Sequence, residues 1–172
     1  GVDPERIVAV GWSAGGGILA GTMLRHRDAG GRVLAGQMLV FPMLDDRDIG
    51  VAKTQLARTV MWNKVSNDTG WNAYLGAARG GPDVSPHAAP ARATDLAGLP
   101  PTYIEVGSVD LFRDEDVAYA STMWACGGDA ELHVWPGGPH GFEFSAPDAP
   151  ISRGARQAKL DWLTRILAKD PA

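Results

Sequence analysis

Short apolar runs alternate along this chain with longer segments whose apolar residues recur at helical spacing. The short runs, which predict β-strands, are Ile7–Val10, Val33–Phe41, Thr102–Val106 and Glu131–Trp135. The longer segments, which predict helices, are Ala14 to about Arg27, Asp114–Ala125 and about Arg153–Leu167. This order is typical of an α/β protein in which helices flank a largely parallel sheet.

The stretch from Asp45 to about Leu99 interrupts this alternation. It contains two predicted helices, near Ala52–Asn63 and Asn67–Leu75, followed by a passage rich in glycine and proline. A connection of this length between two strands of one sheet is typical of a lid or cap. We therefore predict a core formed by residues 1–44 and 100–172, with residues 45–99 as a helical cap insertion.

Composition excludes several classes of partner. Hydrophobic residues make up 45% of the 172 residues, charged residues make up 21%, and the formal net charge is −4. This balance leaves no basic surface for nucleic acid or anionic lipid, and no apolar run approaches the ~18 residues of a membrane-spanning helix. The single cysteine, Cys126, excludes an internal disulfide and a Cys-x-x-Cys metal site. Because a lone thiol fits a reducing compartment, we expect a cytoplasmic protein.

The strongest chemical motif lies in the first core segment. Residues 11–15 read Gly-Trp-Ser-Ala-Gly, a G-x-S-x-G motif between a predicted strand and a predicted helix. In that setting a sharp turn exposes the serine hydroxyl, and glycines are expected because a side chain would meet backbone there. Ser13 is therefore the candidate nucleophile. The N–H of Ala14, at the start of the helix, is the candidate donor to a developing oxyanion.

The second core segment contains a matching base and acid. A serine nucleophile needs a base, usually histidine, and the histidine needs an orienting carboxylate. On a parallel sheet of this kind these groups follow the strands in the chain order serine, acid, histidine. Asp110 follows the third predicted strand, and His140 follows the fourth within a turn-rich Pro-Gly-Gly-Pro loop. We predict that Ser13, Asp110 and His140 meet in space.

Other carboxylates are weaker candidates for the orienting acid. Asp114 and Asp116 belong to the following helix, and acidic residues in a first turn favour the positive end of a helix. Asp129 precedes the last strand and therefore falls at the opposite end of the sheet. The aspartates within Asp45–Asp48 resemble a metal site only in charge, since no histidine stands at ligand spacing. We expect them in a solvated loop.

The other histidines are weaker candidates for the base. His26 falls at the exposed end of the first helix, and His133 lies within a strand. His87 lies in the cap passage, where we expect a surface or packing role.

Three segments carry a resemblance to a known family: GWSAGGG (11–17), SPHAAPARATDLAGLPPTYIEVGSVDLFRDED (85–116) and PHGFE (139–143). They resemble the bacterial hormone-sensitive-lipase-like esterases of the α/β-hydrolase fold, and the second segment is the most specific. The resemblance places the family's nucleophile on Ser13, its acid on Asp110 and its base on His140. It also places the Ala14 amide in the oxyanion hole.

The chain departs from the family pattern in two ways. Trp12 stands where the family has a small or acidic residue, and the HGGG-type loop, which belongs upstream of the serine motif, is absent. The family's complete fold needs about 300 residues. We therefore expect the second part of this fold, with an N-terminal segment or chain supplying the remaining oxyanion donors. By the same argument, we expect residues 1–172 alone to be poorly stable and nearly inactive.

The resemblance implies a serine hydrolase that cleaves carboxylic esters of short- to medium-chain acyl groups through an acyl-serine intermediate. It implies no metal or organic cofactor. Four cap residues are candidates for the walls of an apolar acyl pocket, although packing of the cap explains each of them equally well: Met61, Trp62, Trp71 and Tyr74.

The resemblance also suggests a homodimer through the last strand and its neighbouring helix, because an exposed sheet edge invites pairing. Two other functions remain open at this point. One is a peptidase or amidase with the same triad, and the other is a non-catalytic interaction module that keeps only the fold.

Overall fold

A computed structural model describes residues 1–58 and 61–168, and its centre is a four-stranded sheet. The strands are β1 (Val8–Trp12), β2 (Gly36–Val40), β3 (Thr102–Val109) and β4 (Ala130–Pro139). They lie side by side in chain order, and every neighbouring pair is parallel. The predicted α/β architecture is confirmed.

Six α-helices accompany the sheet within the described residues: α1 (Ala14–Asp28), α2 (Ala52–Gln55), α3 (Lys64–Leu75), α4 (Arg113–Ala125), α5 (Phe142–Ser145) and α6 (Pro150–Ala168). α1 connects β1 to β2, and α4 connects β3 to β4, as parallel neighbours require. Within the described residues, no helix combines the length and the apolar character needed to cross a membrane.

Different helices cover the two faces of the sheet. On one face α1 and α4 contribute Leu24 and Met123 to a buried cluster. On the other face α3 and α6 contribute Trp71 and Trp162 to a second cluster. Because β2 lies inside the sheet and both of its faces are covered, all of its residues are buried.

The first cap helix is shorter than the sequence predicts. The expected helix Ala52–Asn63 ends at Gln55 and is followed by a turn, and residues 59 and 60 lie outside the described part. Asn63 begins α3 instead of ending α2, because its side-chain oxygen accepts a hydrogen bond from the Ser66 N–H at 3.0 Å. The helix predicted from Asn67 therefore begins at Lys64. The division into core and cap stays a prediction.

The fold brings the carboxyl ends of the strands to one edge of the sheet, where functional groups of parallel sheets are found. Ser13 directly follows β1, Asp110 directly follows β3, and His140 directly follows β4. β4 is the last strand, as predicted, and β1 is the opposite edge. On that edge Val10 and Trp12 are 39% and 47% exposed.

Candidate active site

Ser13 occupies a strained turn between β1 and α1. Its φ of 51° and ψ of −124° form a backbone conformation that residues with a Cβ rarely adopt. Its N–H donates to the Val40 carbonyl at 2.9 Å, and its carbonyl accepts from the N–H groups of Gly17 and Met43 at 3.1 and 3.0 Å. The loop after β2 therefore holds the turn that presents the serine hydroxyl.

The glycines around Ser13 are not all required for the same reason. A Cβ on Gly11 would lie 2.5 Å from the Gly15 carbonyl oxygen, so crowding excludes a side chain there, as predicted. At Gly15 a Cβ would meet nothing within 4 Å in the described chain, so the expected crowding is wrong for this glycine. The tighter position is Gly17, where a Cβ would lie 2.0 Å from the Met43 oxygen because α1 packs directly on that loop.

The three predicted site residues form one chain of hydrogen bonds. Ser13 Oγ lies 3.0 Å from His140 Nε2, and His140 Nδ1 lies 2.8 Å from Asp110 Oδ2. The other carboxylate oxygen of Asp110 accepts from the Phe112 N–H at 3.0 Å, and the Asp110 side chain is fully buried. An acceptor at Nδ1 keeps the proton on that nitrogen, which leaves Nε2 free to accept the serine proton.

Close approach of β3 and β4 places His140 beside Asp110. A Cβ on Gly107 would lie 1.9 Å from the Gly138 oxygen, so only glycine lets the end of β4 come this near. Ser108 Oγ accepts a hydrogen bond from the Gly137 N–H at 2.8 Å, across an irregularity in the pairing of the two strands. The end of β4, directly before His140, is therefore bound to the strand that precedes Asp110.

Aromatic rings surround the imidazole of His140. Phe41 and Phe112 present their rings edge-on, at centroid distances of 4.8 and 5.2 Å. Trp62, from the cap, lies at 5.9 Å. The side chain of His140 is only 12% exposed. These contacts restrict the ring to few orientations and exclude most water from it.

An apolar pocket of about 200 Å³ adjoins the start of α1. Its walls include Ala14 and three of the four predicted cap residues, Trp62, Trp71 and Tyr74. Met61 does not line it and is 52% exposed, so the structure does not place this residue at the pocket. Trp71 is 2% exposed and also belongs to the core, so packing and pocket formation coincide at this position.

Asp114 and Asp116, in the first turn of α4, do more than place negative charge at the start of a helix. Asp114 accepts a hydrogen bond from the Ala52 N–H at 2.7 Å and so holds the start of α2. Asp116 is fully buried, and neither of its oxygens has a hydrogen-bond partner in the described part of the chain. Burial, together with the charges of Glu115 and Asp110, raises the pKa of Asp116 well above its ordinary value.

The expectation of a solvated loop is wrong for Asp45 and Asp46, whereas Asp48 is exposed as predicted. Asp45 and Asp46 are 3% and 1% exposed. Asp45 pairs with Arg47 at 2.8 Å, and Asp46 pairs with Arg92 at 2.6 Å. Burial opposes ionisation of Asp46, but hydrogen bonds from Arg92 and the Gly80 N–H outweigh it and lower the pKa.

The remaining histidines lie away from the triad. Each contacts a partner on the protein surface, at 2.8 Å in every case: His26 the Arg32 carbonyl, His87 the Asp28 carboxylate and His133 the Glu131 carboxylate. Within residues 1–58 and 61–168, no group of three or more histidine, cysteine, aspartate or glutamate side chains could hold a metal ion.

Sequence reasoning missed a buried ion pair behind Asp110. Lys53 Nζ, on α2, lies 2.6 Å from Glu115 Oε2, on α4, and the two side chains are 3% and 2% exposed. The other oxygen of Glu115 accepts from the Leu44 N–H at 2.8 Å. Burial raises the pKa of Glu115 to about 7, although Lys53 and the backbone donors lower it. No local pattern signals this pair, because its members belong to different segments of the chain.

Replacing Lys53 with methionine is expected to lower the free energy of unfolding by about 1 kcal/mol at pH 8, because the ionised form of the buried Glu115 loses its partner. Since the pKa of Glu115 is raised in the folded state, its protonation favours folding at low pH, and this contribution is lost as pH rises towards 7. Lys53→Met raises the pKa of Glu115 further. The loss of unfolding free energy in this variant should therefore be larger at pH 8 than at pH 5.

Urea unfolding at both pH values measures this effect. Lys64→Met is the matched control, because Lys64 is 39% exposed and pairs only with partly exposed aspartates, so its loss should cost less than about 1 kcal/mol. An equal deficit for Lys53→Met at pH 5 and pH 8 would contradict the role given to Glu115.

Comparison with known proteins agrees with this geometry. Residues 1–144 match the family model described as alpha/beta hydrolase fold. A carboxylesterase of Mycobacterium tuberculosis, NlhH, is 34% identical over 97% of this chain and 53% of its own length.

Two solved structures are also similar. One is a bacterial heroin esterase, with a TM-score of 0.93 and 42% identity over 98% of this chain and 54% of its own. The other is an esterase from the bacterial hormone-sensitive lipase family, with a TM-score of 0.86 and 31% identity over 98% and 56%. This chain thus spans about half the length of the proteins it matches. It belongs to the α/β-hydrolase-fold family, and the resemblance of its motifs to hormone-sensitive-lipase-like esterases is confirmed.

Proposed function

We propose that this chain carries the nucleophile, base and acid of a carboxylic-ester hydrolase that acts on short- to medium-chain acyl esters. The observation that supports this most is the hydrogen-bonded series Ser13, His140 and Asp110 at the carboxyl edge of the sheet. The similar proteins named carboxylesterase and esterase favour an ester as the substrate.

In the proposed reaction, Ser13 Oγ attacks the ester carbonyl carbon while His140 Nε2 takes the hydroxyl proton. The tetrahedral intermediate collapses, the bond to the alkoxy oxygen breaks, and His140 protonates the departing alcohol. His140 then removes a proton from water, which attacks the acyl-serine, releases the carboxylic acid and restores Ser13. Asp110 keeps the imidazole in the required tautomer and stabilises its charged form.

The oxyanion needs donors, and this chain offers one candidate. The Ala14 N–H opens α1, so it has no carbonyl partner within that helix. Loss of one oxyanion donor costs on the order of 10²–10³ in rate. We propose that the remaining donors come from outside residues 1–172, on a preceding segment or a second chain. Residues 1–172 expressed alone should then turn over esters far more slowly than the complete gene product, and equal rates would contradict this proposal.

The pocket beside Ala14 suits a small apolar group. Its volume is about 200 Å³. Trp62, Trp71 and Tyr74 line it with aromatic surface. This lining favours a short acyl or alkoxy chain over the polar backbone of a peptide.

We also propose a homodimer that pairs through β4, since this strand forms an edge of the sheet among the described residues. Light scattering at micromolar concentration tests it, and a monomer alone would contradict it. A cytoplasmic location is part of the proposal as well, and it rests on the single thiol of Cys126.

A fluorophosphonate probe tests the main proposal. Modification of Ser13, located by mass spectrometry of the labelled peptide, is expected, whereas an unlabelled protein would indicate a non-catalytic module. Comparison of p-nitrophenyl butyrate with the matching anilide then separates esterase from amidase. Faster cleavage of the anilide would overturn the ester assignment.

A further inference from the structure

A buried polar cluster lies on the sheet behind the His140 loop. Its centre is Glu105 of β3, whose side chain is fully buried. One carboxylate oxygen accepts hydrogen bonds from the Tyr103 hydroxyl at 2.9 Å and from the indole N–H of Trp135 at 3.0 Å. The other oxygen accepts from the Lys159 ammonium of α6. β3, β4 and α6 are therefore connected through this one carboxylate.

Glu143 joins the cluster from α5, the short helix that follows His140. Its carboxylate accepts a hydrogen bond from the same Lys159 ammonium at 2.5 Å, and its side chain is only 10% exposed. α5 spans only Phe142–Ser145, so it has little internal hydrogen bonding of its own. Its position, and that of the loop before it, therefore depends on contacts with other elements.

The charges of the cluster do not balance when both carboxylates are ionised. Glu105 from β3 and Lys159 from α6 are the charged groups that face Glu143. Burial and the neighbouring Glu105 raise the pKa of Glu143 to about 7, although Lys159 lowers it. Below this pH Glu143 carries a proton, and one ammonium then balances one carboxylate.

Nearby charges have partners of their own. Glu131 on β4 pairs with Arg165 of α6 and with His133, and neither contact reaches α5. This second ion pair therefore also connects β4 to α6, but it leaves the His140 loop untouched. The Arg165–Glu131 pair can therefore serve as a control for the Lys159–Glu143 pair.

We propose that Glu143 is a positioning residue for His140. Through Lys159 and Glu105 it holds α5, and with it the loop that carries the base, in the orientation in which the imidazole reaches both Ser13 and Asp110. The effect on rate rests on the function proposed above, whereas the effect on the orientation of His140 does not.

Three variants of the complete gene product test this role. Glu143→Ala removes the anchor, and Glu143→Gln keeps a hydrogen-bonding side chain of the same shape. Arg165→Gln removes the other ion pair between α6 and β4. The readouts are kcat and KM for p-nitrophenyl acetate, and the low-field proton NMR signal of the His140 Nδ1–H bonded to Asp110.

Glu143→Ala should lower kcat by about ten- to a hundredfold with little change in KM, because the base is displaced and the binding pocket is not. It should also lose the low-field signal. Glu143→Gln should keep both kcat and the signal at pH 6, where the native carboxyl is protonated too. Arg165→Gln should resemble the native protein in both readouts.

Two results would overturn the proposal. In the first, Glu143→Ala lowers only the melting temperature while kcat and the signal persist, so the cluster merely stabilises the fold. In the second, Arg165→Gln affects both readouts as much as Glu143→Ala does. If the native protein cleaves no ester, the proposed function fails, but selective loss of the signal in Glu143→Ala would still support the positioning role.

Discussion

Replacing Ser13 with alanine should lower kcat/KM for p-nitrophenyl butyrate by about 10⁴–10⁶-fold while the melting temperature stays close to that of the native protein. The Ser13 hydroxyl is bonded to His140 and gives α1 no side-chain cap, so chemistry is the role that its removal affects. The backbone strain is unchanged, because alanine also has a Cβ at the same positive φ. Steady-state kinetics and thermal unfolding of one preparation measure both effects.

Ser121→Ala is the matched control for this prediction. Ser121 lies on the exposed side of α4, and its hydroxyl contacts the Val117 carbonyl of the same helix. Its loss should change neither quantity. If Ser13→Ala keeps most of the native turnover, the nucleophile lies elsewhere and the proposed function must be abandoned.

Replacing Asp110 with asparagine should lower kcat by about 10⁴-fold without unfolding the protein. An amide N–H facing His140 Nδ1 would make that nitrogen an acceptor, and the proton would move to Nε2, where it blocks transfer from Ser13. The amide oxygen can still accept from the Phe112 N–H, so the local backbone keeps its hydrogen bond. A pH–rate profile and thermal unfolding should together show a protein that is folded and almost inactive.

Asp129→Asn distinguishes the acid of the triad from a competing carboxylate. Asp129 directly precedes β4, at the opposite end of the sheet from His140. The substitution should leave kcat unchanged. A comparable loss of activity in both variants would show that charge at a distance, and not orientation of the imidazole, explains the result for Asp110.

The approximate placement of Ser13, Asp110 and His140 could be predicted from strand order. A serine turn after one strand and loops after two later strands lie at the same edge of the sheet when the strands are parallel. The Gly107 contact that lets β4 approach β3 could not be predicted from the motif, because Gly138 lies on another strand. The position of a strand can be predicted from neighbouring residues in the sequence. A close contact between two strands depends on residues far apart in the sequence and cannot be predicted in this way.

The buried charges show where local reasoning fails. Asp116 and Glu115 stand in a first helical turn, where exposed acidic residues are common, and nothing in their neighbours indicates that other segments cover them. Lys53 similarly belongs to a helix predicted in the cap insertion, and nothing in the sequence pairs it with α4. Burial of a charge depends on which distant segment packs over it, and hydrophobic periodicity does not report this for polar residues.

The predicted boundary between the two cap helices is wrong for a different reason. Apolar spacing continues through residues 52–63, so periodicity alone extends the first helix to Asn63. The side chain of Asn63 instead satisfies the free N–H of Ser66 at the start of α3. An asparagine can stand at the end of one helix or directly before the start of the next. The hydrogen bond from Ser66 to Asn63 that decides between these two positions is seen only in the structure.

The bonding of the Ser13 turn has a consequence for how the protein folds. Its strained backbone is held by Val40, at the end of β2, and by Met43, beyond it, so β1 and α1 alone cannot maintain it. A folding intermediate in which β2 has not yet docked should therefore lack a reactive serine even where helix α1 has formed. Covalent labelling at Ser13 during refolding would then follow the docking of β2, and the labelled fraction would count the molecules in which β2 has docked.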